Sequence, residues 1–171
     1  MATARARKSK QPRASRPHMP GYGLLGTKSG RGLLPWSWAV ERLTKTHNYW
    51  IATTRPDGAP HAMPVWGVWH EGAFYFSTGR QSRKARNLAA NPRCVVCTER
   101  ASEAVIVEGV AQELKDGAIL RSVGPVYRKK YKWDFEAESP VFAVRPRVVF
   151  GLIEDPDEFA SAATRWSFEA G

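Results

Sequence analysis

Six stretches of the chain carry short β-branched and aromatic runs, several alternating apolar with polar residues, and each predicts a strand. They are Tyr49 to Thr54, His61 to Trp69, Ala73 to Ser77, Cys94 to Thr98, Ala104 to Leu114 and Pro140 to Glu154. Arg55-Pro56-Asp57-Gly58 and His70-Glu71-Gly72 read as the turns that join the first three into an antiparallel meander. Pro64 and Pro146 fall inside strands, where the missing N–H implies an edge, a bend or a bulge, and Gly109 predicts a bulge or a close backbone approach. A helical period replaces the strand period in three places. Leu33 to Thr46 has Pro35 in its first turn and one apolar stripe of Trp36, Ala39, Val40 and Leu43. A short helix runs from near Ser82, which can serve as its N-cap, with Ala85, Leu88 and Ala89 on one face, and stops at Asn91-Pro92. Asp116 to Trp133 is helical with an interruption at Gly124-Pro125, and its basic, aromatic second half reads first as an amphipathic surface helix and second as ligand-facing. After an acidic turn, Asp155 to Glu158, the segment Ala163 to Phe168 carries a Trp and a Phe beside an Arg and is expected to be tied down against apolar surface. Six mostly antiparallel strands with an inserted helix predict a small β-barrel.

Charge changes this picture only at one end. The 171 residues carry a net charge of +10, which resembles a nucleic-acid footprint until the charges are located. Residues 1 to 31 hold eight Lys or Arg and no acid, so the remaining 18 bases and 16 acids leave residues 32 to 171 near neutrality. The division is therefore a basic, disordered N-terminal tail, 1 to 31, ahead of a folded domain, 32 to 171. Rival readings of the tail are nucleic-acid or anionic-membrane contact, or a transit peptide. With no apolar run of transmembrane length and no signal peptide, a cytoplasmic protein is expected. Cys94 and Cys97 spell a CxxC pattern, but on a strand positions three apart point to opposite faces. A shared metal or an easy disulfide is thereby disfavoured.

The distinctive chemistry lies at the start of the short helix. Its first turn carries Arg83 and Lys84, where free N–H groups and the positive end of the helix dipole favour carboxylates. Two cations, free N–H groups and the hydroxyls of Ser77, Thr78 and Ser82 converge on one volume, with Gly79 permitting close approach. That describes an anion site, suited to phosphate. The alternative is a solvated basic helix face. Four histidines, at positions 18, 47, 61 and 70, show no paired ligand spacing. His61 reads as a structural histidine before a pocket residue. No glycine-rich dinucleotide or triphosphate motif is present.

The run YWIATTRPDGAPHAMPVWGVWHEGAFYFSTGRQSRKARNLAANPRCVV resembles the split β-barrel of the pyridoxamine 5'-phosphate oxidase-like, flavin and deazaflavin-dependent oxidoreductases. The resemblance covers Tyr49 to Val96 closely and the later strands, up to about Val149, in order and length. It implies a mainly β fold with a few helices: a six-stranded antiparallel split barrel, forming a homodimer with the cofactor in a groove between subunits. It further implies that Ser77, Thr78, Arg83 and Lys84 hold the cofactor phosphate, and that Ala62, Met63, Pro64, Val65, Trp66 and Gly67 run beneath the ring. Ala62, Gly67 and Ala104 stand where authentic pyridoxamine phosphate oxidases have Arg, Lys and Gln, so the resemblance does not extend to vitamin B6 oxidation. It is closer to the branch using coenzyme F-420, whose acidic tail Arg80 and Arg86 would suit; FMN is the alternative cofactor. The expected function is hydride transfer between such a cofactor and a small conjugated substrate. A non-catalytic carrier or sensor, and a nucleic-acid binder acting through the tail, are the rival classes. No membrane partner is expected.

Overall fold

The structure, a computed structural model, describes residues 11 to 26 and 31 to 169. Its strands are β1 (Arg13–Ser15), β2 (Asn48–Thr54), β3 (Pro60–His70), β4 (Ala73–Ser77), β5 (Arg93–Thr98), β6 (Glu103–Glu113), β7 (Val141–Ile153) and β8 (Thr164–Ser167). The helices are α1 (Trp36–Lys45), α2 (Arg83–Ala90), α3 (Gly117–Tyr131) and α4 (Phe159–Ala162). The six strands expected from the sequence all form. They join in the order β7-β4-β3-β2-β5-β6, every pair antiparallel, and the ring closes where β6 pairs with β7. This is a mainly β, six-stranded closed antiparallel barrel, with β8 and β1 added outside β7.

Alternation along each strand fills the barrel. Tyr49 and Ile51 from β2, Phe74 and Phe76 from β4, Val96 from β5, Val105 and Val107 from β6, and Val144 and Val149 from β7 are all fully buried. Each such side chain contributes about 1.5–3 kcal/mol on leaving water. Cys94 and Cys97 obey the same rule on β5: Cys94 is buried, its thiol pushed up to about 12 by desolvation, while Cys97 points the other way. The bulge expected at Gly109 lies between Glu108 and Gly109, opposite Pro146, whose missing N–H is tolerated there. Pro64 sits in the half of β3 that has β2 on one side and no strand on the other, because β4 begins pairing only at Gly67. That opening is the split in the barrel.

Two expectations need correction. The tail is not disordered throughout: Arg13–Ser15 forms β1 against β8, and Arg16 is buried to 4% exposure. The Arg16 guanidinium donates to the carbonyls of Ser161, Ala163 (3.1 Å) and Arg31 (2.8 Å), so a cation that looked solvated serves as a clamp. Residues 1 to 10 and 27 to 30 of that expected tail lie outside the described residues. Nor is the third helix interrupted, for α3 runs through Pro125. The lost N–H bond there is offset by burial of Val123, Tyr127 and Tyr131 against Val68, Ala73, Tyr75 and Ala143 of the sheet.

Two polar side chains lock α3 onto β3. Lys130 Nζ donates to the Gly67 carbonyl (3.0 Å) and to the Tyr49 hydroxyl (2.8 Å). Tyr131 Oη accepts from Gly67 N at 2.9 Å, and its proton is shared between the carbonyls of His47 (2.7 Å) and Gly67 (2.8 Å). Burial disfavours the Lys130 ammonium and lowers its pKa to about 8, with Glu99 pulling weakly the other way.

Arg16→Ala should lower the melting temperature by roughly 5–10 °C, because it strips charge-assisted bonds worth about 2–3 kcal/mol from buried carbonyls; thermal unfolding checks it, and an unchanged midpoint would return β1 to the status of an idle tail. Lys130 supplies a pH test. Its folded pKa lies below the unfolded value, so the cost of its charge is fully present below pH 8 and is relieved as pH rises from about 8 towards 10.5. Compared with Lys130→Met, the wild-type protein should gain stability across that window and show a constant difference below it, as read from denaturant midpoints at each pH.

Candidate functional site

The segment from β4 into α2 is built as the sequence suggested. Ser82 caps α2, its Oγ accepting from Ala85 N at 3.2 Å, and Thr78 Oγ1 donates to the same oxygen at 3.1 Å. Ser82 therefore accepts twice and keeps its own proton for a further partner. Ser77 Oγ donates to the Pro140 carbonyl at 3.2 Å, which anchors the end of β4 and leaves that oxygen only as an acceptor. Arg83 is exposed and Lys84 half-buried; no acid stands in the first turn. Among the described residues neither cation has an ion-pair partner, whereas Arg42, Arg55, Arg80 and Arg128 each have one. Desolvation lowers the Lys84 pKa with no counter-charge to restore it. A half-buried ammonium lacking an anion, at the positive end of a helix, is an unfavourable arrangement that a bound anion would correct.

Behind this helix the structure adds residues that apolar periodicity could not reveal. Asn87, fully buried where Ala89 was expected, donates through Nδ2 to Thr53 Oγ1 at 3.0 Å, and that hydroxyl contacts the His61 carbonyl at 3.4 Å. His61 is not the satisfied structural histidine expected of it: its Nδ1 and the Asn87 Oδ1 are buried without a partner among the described residues.

The strand expected to lie under a ring, Ala62 to Gly67, divides by pleat and by the split. Ala62, Met63, Pro64 and Trp66 are exposed, while Val65 and Gly67 are buried. Gly67 permits no side chain, because a Cβ there would stand 2.2 Å from Phe74 Cζ. Trp66 stacks on Tyr131 with ring centroids 4.8 Å apart and planes 7° apart. A cavity of about 300 Å3 brings Trp66 together with Ser77, Thr78 and Gly79, and adds Trp133, Asp134 and Glu136 from the segment after α3. Ser82, Arg83, Lys84 and Ala62 to Val65 do not line it. Sequence reading missed Lys130 and Tyr131 as the groups that hold Gly67; the four-residue spacing of Tyr127 and Tyr131 on a helix was the available signal.

There are two larger hollows. One of about 480 Å3 between α3 and residues 134 to 139 adjoins the Trp66 cavity, sharing Asp134, Phe135, Glu136 and Ser139 with it, and is edged by the ion pairs Arg80–Glu113 and Arg128–Asp134. Arg80 is thus paired with Glu113 at the surface, its side chain 61% exposed. The other, about 610 Å3, lies over β2, β5 and β6 with Arg93 and Arg147 at its rim. No cluster of three His, Cys, Asp or Glu side chains among the described residues could hold a metal ion, and no helix among them is long and apolar enough to cross a membrane.

No curated protein matches this sequence. Among solved structures the chain is similar to a conserved hypothetical protein from Mycobacterium tuberculosis, with TM-score 0.61 and 21% identity over 68% of this chain and 82% of that one. It is similar to an F-420 reductase, with TM-score 0.51 and 23% identity over 64% and 93% of the two chains. A heme binding protein from Mycobacterium smegmatis gives TM-score 0.59 and 17% identity over 75% and 62%. At these identities the likeness is one of fold. The family profile described as pyridoxamine 5'-phosphate oxidase matches residues 39–160, a span running from α1 through the whole barrel into α4, and the chain belongs to that family.

Proposed function

We propose that the chain is an oxidoreductase that binds the phosphate of coenzyme F-420, or alternatively of FMN, at the start of α2. The observation that carries this reading is the uncompensated pair Arg83 and Lys84 beside the Thr78 and Ser82 hydroxyls, 3.1 Å apart. When bound, such a cofactor supplies hydride donation and acceptance, and the protein supplies position and electrostatics. Arg83 and Lys84 neutralise the phosphate, Ser82 and the free N–H groups of the first turn donate to it, and behind them Thr78 orients Ser82 while Ser77 anchors the end of β4 on the Pro140 carbonyl. The open edge of Ala62 to Trp66 offers backbone groups to the ring, and the buried Val65 and Gly67 keep that strand rigid. Vitamin B6 oxidation is not favoured, since a lysine at position 67 would collide with Phe74. With Arg80 paired to Glu113, Arg86 is left as the nearby arginine for an acidic tail.

The same reading calls for a homodimer. Register places Pro64, Trp50, Cys97, Ile106 and Phe150 in one row across the outside of β3, β2, β5, β6 and β7. Trp50 is 49% exposed at the centre of this row, an apolar surface that a second copy of the chain would cover.

Replacing Arg83 and Lys84 together with Ala should weaken F-420 or FMN binding by roughly two to four decades, each lost charge-assisted contact being worth about 1.5–3 kcal/mol. The ligand-free double variant should melt at the wild-type temperature or slightly above it, because it relieves two cations at a helix N-terminus. Calorimetric titration with both cofactors, beside thermal melts, measures both halves; unchanged affinity for both would make the pair structural. Trp50→Glu should weaken self-association on the order of a thousandfold, since the substitution appears twice in a symmetric interface and an anchoring Trp is worth about 2 kcal/mol or more. Sedimentation equilibrium decides it, and a wild-type monomer at micromolar concentration would remove the interface.

A further inference from the structure

The cavity holding Trp66 and Trp133 has a charge pattern at odds with the rest of the chain. In a protein of net charge +10, none of its lining residues is Lys or Arg, and two, Asp134 and Glu136, are carboxylates. Arg128, which lines the adjoining hollow, neutralises Asp134 at 2.6 Å, whereas Glu136 has no ion-pair partner among the described residues and accepts from the Ser139 hydroxyl at 3.1 Å. The walls are aromatic and pre-positioned. Phe135, Tyr127, Tyr131 and Trp66 form a ladder with successive centroids 4.1, 4.8 and 4.8 Å apart, so Trp66 is braced from behind and still 46% exposed. Trp133 is 60% exposed and follows Lys132, a non-glycine residue held at φ 57°. A lysine in the left-handed region is strained, and here the strain ends α3 so that the following Trp and carboxylates turn to the cavity.

We propose that this cavity is the substrate pocket and that it selects a planar heteroaromatic cation. The inference rests on the cofactor reading, because Ser77, Thr78 and Gly79 form one wall of this cavity and also the turn that positions Ser82 at the proposed phosphate site. Aromatic faces attract a delocalised cation through their quadrupole, and a carboxylate at the rim adds charge complementarity that an anionic substrate would meet as repulsion. A volume of about 300 Å3 suits a one- or two-ring compound.

The test uses the full chain and three probes of one shape: N-methylquinolinium, quinoline and quinoline-2-carboxylate, titrated at pH 7.5 by tryptophan fluorescence and calorimetry. The cation should bind at least tenfold more tightly than the anion. Trp133→Ala should weaken the cation at least tenfold, and Glu136→Gln should reduce the preference of cation over quinoline to within threefold while leaving quinoline itself unchanged. F-420 and FMN affinities of both variants should stay within twofold of wild type, and so should their melting temperatures stay unchanged, the replaced side chains being exposed. Anion binding as tight as the cation, or full cation affinity in Trp133→Ala, overturns the inference. Loss of cofactor binding in Trp133→Ala also overturns it, by placing the cofactor in this cavity, while leaving the Arg83 and Lys84 anchor standing. Cation binding with the expected variant pattern, in a wild-type chain that binds neither cofactor, upholds the pocket and overturns the cofactor reading alone.

Discussion

The pairing of β6 with β7 is the constraint on which the other features depend. A six-stranded sheet has two raw edges, and closing it satisfies both at once. The geometry demands that β7, 13 residues long, bend enough to meet β6 along most of its length, β4 at one end and β8 at the other. Gly109 and Pro146 make the bend. A Cβ at Gly109 would lie 2.6 Å from the Arg145 carbonyl oxygen, so only glycine lets the two backbones approach, and proline opposite needs no donor at the bulge. Closure also fixes where the barrel opens. With β4 committed to β7 and to the last four residues of β3, the first half of β3 is left with one neighbour, and that half carries the apolar edge from Ala62 to Trp66.

What keeps that open strand from fraying is α3. Gly67, where β3 passes from one neighbour to two, has its N–H and carbonyl taken by Tyr131 and its carbonyl shared with Lys130. The helix tolerates a proline in its interior because its aromatic face is buried on the sheet. The same face continues as the stack that steadies Trp66. Structural support and the aromatic lining of the Trp66 cavity thus belong to one set of rings, and the left-handed Lys132 falls where the set ends.

The electrostatics separate into two zones that share a wall. At the start of α2, Lys84 and Arg83 stand without acids, and helix dipole, free N–H groups and Ser82 all favour an anion. Across Ser77, Thr78 and Gly79 the cavity with Trp66 and Trp133 carries carboxylates and no cation. Opposite preferences on adjacent volumes suit two ligands of opposite charge better than one.

Much of this was legible in the sequence, for reasons of local physics. Strand alternation, the Arg55 to Gly58 turn, the Gly109 bulge, the Ser82 cap and the opposed faces of Cys94 and Cys97 depend on residues within a few positions of one another. Periodicity reports those directly. Arg83 and Lys84 were conspicuous because they break a local rule about helix ends. Contacts between distant segments were decided only by the tertiary structure. Arg16 looked like one more solvated base until carbonyls of residues 161 and 163, about 145 positions away, enclosed it. Pro125 looked like a helix break until burial of Tyr127 and Tyr131 outweighed the lost bond. Asn87 took the buried place expected of Ala89 because Thr53, on another strand, offered it a partner. Sequence determines which local conformations are cheap; which polar groups leave water depends on what the fold brings to meet them.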